Sequence, residues 1–346
     1  MLRAFLTIVL VVASVSLPAA PRASAAHKQK GASAVARHSS PRQEAPRQSA
    51  HRRSPYVGAI AADAATGRVL FEDNADQEAY PASVTKLMTL LLVVEDVRAG
   101  RYSFDDMVVT TKEAYWSEAS WVGLKVGEKM SVRDLCAALM VESANDAAIV
   151  LGVRAAGSFD AFVARMNARA HELGMMQTRY CNPNGLPPNS SRRNPYPWKT
   201  FNVSTARDQM RLARALVLCP EVLSFTSIKT CDLIKTDGGY RVSVTRRVNE
   251  PLRKTQLSAG ETIVKQMRNH NNVMLTDKLK ILNPDGREAV DGLKTGYIAA
   301  GGSSVALTGS RKGKRVIVVV LGSSSSAERD TQASRIFVDA MGSVVW

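Results

Sequence analysis

Histidine is nearly absent from the part of this chain that can fold. Five histidines occur in 346 residues, and His27, His38 and His51 lie in a polar N-terminal stretch. His171 and His270 remain. His171 sits on a helical pattern, where it reads as a surface or packing residue, and neither lies in a nucleophile elbow, so a serine–histidine triad is set aside. His270 is at most a cleft-lining residue. Cysteine is sparse too. Cys136, Cys181, Cys219 and Cys231 never fall in a metal-ligand spacing, which argues against a zinc centre. In an oxidising compartment they allow disulfides, with Cys219 and Cys231 nearest in sequence. Beyond the N-terminus there is no second apolar run of membrane-spanning length. Acidic residues number 31 against 46 Lys and Arg, for a formal charge of +15. No zinc-finger, RNP or helix-turn-helix pattern accompanies that charge, so no nucleic-acid partner is implied.

Much of the excess charge is local. Between His27 and Pro55, seven basic residues face the single acid Glu44. Almost no large apolar side chain stands among them, and such a segment cannot offset the entropy of ordering. Residues 27–55 are therefore read as a disordered basic linker, with loose attraction to anionic envelope polymers as its one functional option. Ahead of it stand Arg3, the apolar run Ala4 to Leu17, and the small residues Ala23-Ser24-Ala25. This is the pattern of an export signal, assigned to residues 1–26. Residues 56–346 form the remaining domain, moderately basic and suited to an anionic substrate such as a peptide with a free carboxylate.

Periodicity supplies a coarse map. Tyr56 to Leu70 reads as strand, turn and strand. Leu87 to Val94, apolar except for Thr89, reads as a buried helix stopped near Gly100. Helices are expected over Val132 to Met140 with Ser131 as N-cap, over Asn145 to Ala156, over Phe159 to Leu173, and over Thr205 to Leu218, ended by Cys219-Pro220. Asp237-Gly238-Gly239 marks a hairpin. Three strands follow, Gly292 to Tyr297, Ser303 to Thr308 and Arg315 to Leu321, and a closing helix covers Asp330 to Met341. Strands at both ends with helices between predict one sheet interrupted by an all-helical insertion.

Three short polar motifs, each occurring once, stand out. In Ser83-Val84-Thr85-Lys86, helical spacing puts the serine and the lysine on one face. A helix N-terminus favours negative charge on the serine oxygen and offers backbone N–H groups. Desolvation lowers a lysine's pKa and lets its amine take a proton. Ser83 is thus a candidate nucleophile and Lys86 its base. Ser143-Ala144-Asn145 falls between two helical patterns, at an expected exposed corner. It reads as an N-cap, as a proton relay (Ser143) with a substrate-binding amide (Asn145), or as both. Lys294-Thr295-Gly296 sits on a predicted strand. There Lys294 and Thr295 can hold a carboxylate, Gly296 permits close approach of substrate, and the N–H of Tyr297 can complete an oxyanion hole with that of Ser83. The bland alternative for that strand is an edge with a solvated lysine.

In this order and setting the three motifs resemble those of the low-molecular-mass penicillin-binding proteins, the serine-type D-alanyl-D-alanine carboxypeptidases, over Tyr56 to about Trp346. Further similar stretches are Pro81-Ala82, the loop Asn182-Pro183-Asn184-Gly185-Leu186, Ser204-Thr205-Ala206-Arg207-Asp208, Asn269-His270-Asn271 and Val290-Asp291-Gly292-Leu293. The resemblance implies a β-lactamase/transpeptidase-like α/β (α+β) fold, an antiparallel sheet flanked by helices with an all-helical insertion subdomain. It implies removal of the terminal D-Ala from a peptidoglycan stem pentapeptide through an acyl-enzyme on Ser83, covalent inhibition by β-lactams, no cofactor and no metal. It also places Arg329 near the substrate carboxylate, where a surface arginine is the alternative. The location expected is the periplasm or the outer face of the cytoplasmic membrane.

Two departures qualify the match. Asn202-Val203 stand where relatives often carry an aromatic residue or histidine. The second β-rich domain and C-terminal amphipathic anchor of several relatives are expected to be missing. A β-lactamase needs a carboxylate to activate water, and Asn182 to Pro188 contains none. The alternatives kept are a D,D-endopeptidase and a non-catalytic β-lactam sensor.

Overall fold

A computed structural model describes residues 54–115, 119–188, 199–277 and 279–342. The segment read as an export signal, and the linker up to residue 53, lie outside them. The first two strands, β1 (Gly58–Asp63) and β2 (Val69–Asp73), form the expected hairpin. Asp63 Oδ1 closes its turn, accepting from the N–H and the hydroxyl of Thr66 at 2.8 Å each. A 3₁₀ turn, Ala82–Thr85, then runs into α1 (Lys86–Arg98). From Leu87 to Val94 this helix is apolar except for Thr89 and buried on every side, as a central helix must be.

Next come β3 (Met107–Val109), α2 (Lys112–Tyr115), β4 (Lys129–Ser131), α3 (Val132–Val141), α4 (Asn145–Ala156), α5 (Phe159–Glu172) and α6 (Ala206–Val217). Side-chain caps set three of these starts. Ser131, Ser158 and Thr205 accept from the N–H of Asp134, Ala161 and Asp208 at 3.1, 3.2 and 3.1 Å, each bond stabilising its helix by roughly 1 kcal/mol. Pro220 does not merely end α6. It opens a further helix, α7 (Pro220–Thr226), at the position where a missing N–H costs nothing.

The last third holds β5 (Ile228–Thr236), β6 (Gly239–Arg247), β7 (Thr262–Arg268), α8 (Asn272–Leu275), β8 (Val290–Ile298), β9 (Gly302–Arg311), β10 (Lys314–Ser323) and α9 (Ser326–Gly342). One antiparallel sheet has the order β2-β1-β10-β9-β8. Its inner strands β1 and β10 are buried on both faces and read as near-continuous apolar runs. Ile60, Ile317, Val319 and Leu293 pack with α1 and α6. Ala61, Val318, Val320 and Leu307 pack with Ala333, Ile336 and Phe337 of α9.

The expected α+β class holds, but the expectation of one sheet does not. A second sheet, in the order β3-β4-β6-β5-β7, is assembled from both sides of the helical segment. The predicted hairpin is its β5–β6 pair. Strands β3, β4 and β7 had no periodic signal: β3 and β4 have three residues each, and most of the side chains of β7 are exposed. Two edge strands matter below. β8 ends the first sheet and β7 ends the second. Among the described residues no single helix is long and apolar enough to cross a membrane.

Candidate active site

Ser83 lies on the 3₁₀ turn, one step ahead of α1, rather than inside the helix. The turn is held from two sides by glycines. Ala82 has φ +50°, a conformation costly for a residue with a Cβ. A Cβ on Gly185 would stand 1.9 Å from the carbonyl oxygen of Ala82. A Cβ on Gly296 would stand 2.7 Å from that of Pro81 and 2.9 Å from Ser83 N. The room that Gly296 provides is therefore taken by the serine turn. This gives its small size a structural reason beside the expected close approach of substrate.

Lys86 is fully buried. Its Nζ contacts Ser83 Oγ at 2.9 Å, Asn145 Oδ1 at 2.7 Å and the carbonyl of Asn184 at 2.7 Å. Two of these partners can only accept, whereas the serine hydroxyl can also donate. Nζ donates to all three oxygens; in the neutral amine two N–H bonds can stay on Asn145 and Asn184 while the lone pair takes the Ser83 proton. Desolvation favours that neutral form and holds the Lys86 pKa well below the usual lysine range. The charge of Lys294 pushes the same way, and Asp146 opposes it.

Ser143 and Asn145 are buried, not on an exposed corner. Ser143 adopts φ +60°, and Ala144 occupies the N-cap position of α4 with no side-chain cap bond. The capping alternative is thereby replaced for both residues. The next residue, Asp146, is buried and accepts from the N–H groups of Val122, Gly123 and Leu124 at 3.2, 2.9 and 3.1 Å. Asn145 N donates to Ser120 O at 2.8 Å. Together these bonds pin residues 120–124 beside the site. Sequence reasoning passed over Asp146, whose only signal was an acid beside an apolar run.

On β8, Lys294 and Thr295 are buried, and Lys294 Nζ donates to the Thr295 carbonyl at 3.0 Å. The solvated-lysine alternative does not survive this burial. Desolvation, aided by the charge of Arg329 and opposed by Glu142, pushes the Lys294 pKa down to about 7. Tyr297 is 65 % exposed at the end of the motif. Arg329 is buried rather than on the surface, its Nε donating to Asp330 Oδ1 at 2.8 Å. Asn272 Nδ2 donates to the other oxygen of Asp330 at 3.1 Å. Ser83, Ser143, His270, Thr295, Tyr297 and Arg329 all line one cleft of about 820 Å³. The three motifs thus converge on a single cavity. The His270 pKa is pushed down to about 4 by desolvation and by the cations Lys294, Lys86, Arg329 and Lys265, so its imidazole is neutral at neutral pH. His171 is exposed on α5, as expected.

The loop Asn182 to Leu186 is structural as well as polar. Asn182 Oδ1 accepts from Gly185 N at 2.6 Å, and Thr89 Oγ1 donates to the Pro183 carbonyl at 2.7 Å. Asn202 Nδ2 donates to Thr85 Oγ1 and to the Asn182 carbonyl, both at 3.0 Å. Asn202, which looked like a departure, ties the serine turn to the loop whose Asn184 carbonyl accepts from Lys86. The four cysteines are unpaired. Among the described residues no cluster of histidine, cysteine or carboxylate side chains could hold a metal ion.

The site thus sets a buried lysine against a serine on a turn, with a second buried lysine on β8. The chain matches the D-alanyl-D-alanine carboxypeptidase family, peptidase S11, over residues 48–325, and it belongs to that family. It is 28% identical over 280 residues to the D-alanyl-D-alanine carboxypeptidase DacF of Bacillus subtilis, covering 80% of this chain and 60% of that protein. It is 36% identical over 155 residues to a D-alanyl-D-alanine endopeptidase of Pseudomonas aeruginosa, covering 44% of this chain and 45% of that one. Among solved structures, penicillin-binding protein D2 of Listeria monocytogenes in its ampicillin-bound form superposes with a TM-score of 0.62 at 28% identity, covering 83% of this chain and 97% of that one. The chain spans about 60% of the length of curated carboxypeptidase relatives such as DacF.

Proposed function

We propose that this chain is an exported serine D,D-carboxypeptidase that removes the terminal D-Ala from peptidoglycan stem pentapeptides. The observation that carries the reading is the bonding of Lys86. Its amine faces the Ser83 hydroxyl while its remaining bonds go to groups that only accept.

The reaction then runs in two halves. Ser83 Oγ attacks the carbonyl carbon of the penultimate D-Ala, and its proton passes to Lys86. The N–H groups of Ser83 and Tyr297 stabilise the oxyanion, each donor worth on the order of 3 kcal/mol in such sites. The C–N bond breaks as Ser143 relays a proton from Lys86 to the departing nitrogen, and free D-Ala leaves. Water, deprotonated by Lys86, attacks the Ser83 ester and releases the shortened peptide with the serine restored. Asn145 and the strand Lys294 to Gly296 hold the peptide, while Lys294, Thr295 and Arg329 hold its terminal carboxylate. A β-lactam enters the same first half, but its leaving nitrogen stays tethered, so the ester persists. The ampicillin-bound state of the Listeria relative supports this extension.

A second reading, hydrolysis of peptidoglycan crosslinks, is favoured by the similarity to the Pseudomonas endopeptidase. It uses the same residues and differs in what the cleft accepts beyond the scissile bond. Incubating the protein with a stem pentapeptide and with a crosslinked dimer, then weighing the products, separates the two. Loss of one D-Ala from the pentapeptide supports the carboxypeptidase, cleavage of the dimer alone supports the endopeptidase, and no product from either overturns both.

A further inference from the structure

The cationic side chains around the cleft are not equivalent. Lys265 Nζ is paired with Glu142 Oε1 at 2.5 Å, and Arg329 with Asp330. Lys86 and Lys294 are buried and belong to the reacting end. Arg268 differs from all four. It lines the cleft from β7, is exposed, and has no carboxylate partner among the described residues. Its planar guanidinium offers a fork of N–H donors that matches a carboxylate.

Its position is set by backbone. Arg268 is opposite Thr230 in the β5–β7 ladder. The chain beyond it is anchored where Asn269 N donates to the Lys229 carbonyl and Asn269 Nδ2 to that of Ile228, both at 2.9 Å. Gln266, two residues earlier and so on the same face of the strand, also lines the cleft. β7 is the edge of the second sheet, and the Lys294 motif lies on the edge strand of the first. The cleft therefore carries two cationic stations on two different sheets. One serves a terminal carboxylate at Lys294, Thr295 and Arg329. The other is open and unpaired.

We propose that Arg268 is a specificity residue for a second carboxylate, carried by the substrate upstream of its scissile bond. This rests on the peptidase reading of the same cleft. The substrate class is then an acyl-D-Ala-D-Ala peptide with a free acidic group on its N-terminal side, preferred over the same peptide with that group amidated. The contact is a charge-assisted pair at a solvated rim, worth about three- to tenfold in affinity.

The test uses the full chain with Ser83→Ala, so that binding is read without turnover. Two synthetic pentapeptides ending in D-Ala-D-Ala differ only in whether one upstream carboxylate is free or amidated, and their Kd values are measured by calorimetry. With Arg268 present, the free acid binds about three- to tenfold tighter, and the preference shrinks as salt is raised. Arg268→Ala abolishes the preference, Arg268→Glu inverts it, and Arg268→Lys restores part of it, with circular dichroism showing each variant folded. A preference that survives Arg268→Ala, or equal Kd values with Arg268 in place, overturns the assignment while leaving the peptidase reading intact. Failure of both peptides to bind overturns the peptidase reading itself, and the assignment with it.

Discussion

Lys86 and Lys294 face one buried site, and the positive charge of Lys294 acts against protonation of Lys86. Neither forms an ion pair among the described residues. Lys86 bonds a hydroxyl, an amide and a carbonyl, and Lys294 bonds a carbonyl. The two amines thereby divide their work. Burial disfavours the charged form of both, at Lys86 against the Ser83 hydroxyl and at Lys294 on β8.

That division predicts a pH profile. Burial disfavours the charged form of Lys86, so its neutral form is available far below the usual lysine range, and acylation rises with pH as the proton leaves. Lys294, pushed down to about 7, loses its charge as pH rises through that value in the free enzyme. The kcat/KM for a peptide with a free terminal carboxylate should therefore fall on the alkaline side. A substrate whose terminal carboxylate is amidated should lack that fall. The two limbs belong to the coupled pair rather than to single residues. Stopped assays across pH with both substrates check this, and identical alkaline limbs would contradict the role of Lys294. Lys86→Ala should slow acylation by at least about 10²-fold, within the range of a general base, in single-turnover measurements.

Thr295→Val keeps the shape of the side chain and removes a hydroxyl that lines the cleft. Peptide hydrolysis should fall by about tenfold or more, in line with loss of a hydrogen bond to a charged group. Steady-state kinetics of the variant test the contact, and unchanged constants would remove Thr295 from carboxylate binding.

Asn202→Ala breaks the Nδ2 bonds to Thr85 Oγ1 and the Asn182 carbonyl, and the bonds that Oδ1 accepts from Cys181 N and Asn182 N, at a site 4 % exposed. Buried partners left unpaired cost about 1–3 kcal/mol. The urea midpoint should drop accordingly. Acylation should slow as well, because the loop that presents the Asn184 carbonyl to Lys86 is released. A stability loss with unaltered acylation would show that the loop holds its place without Asn202.

Gly296→Ala sets a methyl group against backbone at 2.7–3.0 Å on the serine turn. Backbone has little freedom to yield, and overpacking of this kind costs about 1–3 kcal/mol. The variant should melt earlier and label poorly with penicillin. Labelling at the rate of the unaltered protein would mean that the turn can move without loss.

Most of the architecture around the site was legible in the chain, for physical reasons. Ser131 and Thr205 announce helix starts because their side chains satisfy orphan N–H groups. β10 announces itself as a near-continuous apolar run because α9 covers one face and the core helices the other. Of the second sheet only the β5–β6 hairpin was legible, because β3 and β4 have three residues each and β7 is mostly exposed. The serine and lysine of the first motif were visible as a spacing. The Asn184 carbonyl that accepts from Lys86 was not, since a backbone group leaves no mark on composition. Gly296 was visible as a glycine, yet the turn packed against it was not. Arg329 carried no local pattern separating it from a surface arginine, because its burial depends on Asp330 and the neighbouring Asn272.

The central claim is that Ser83, primed by Lys86, is the atom acylated. Intact-mass measurement and peptide mapping after brief exposure to benzylpenicillin test it most directly. The account predicts a single adduct on the peptide holding Ser83, slower to form in Lys86→Ala and absent in Ser83→Ala. An adduct elsewhere, or one that survives Ser83→Ala, would contradict it.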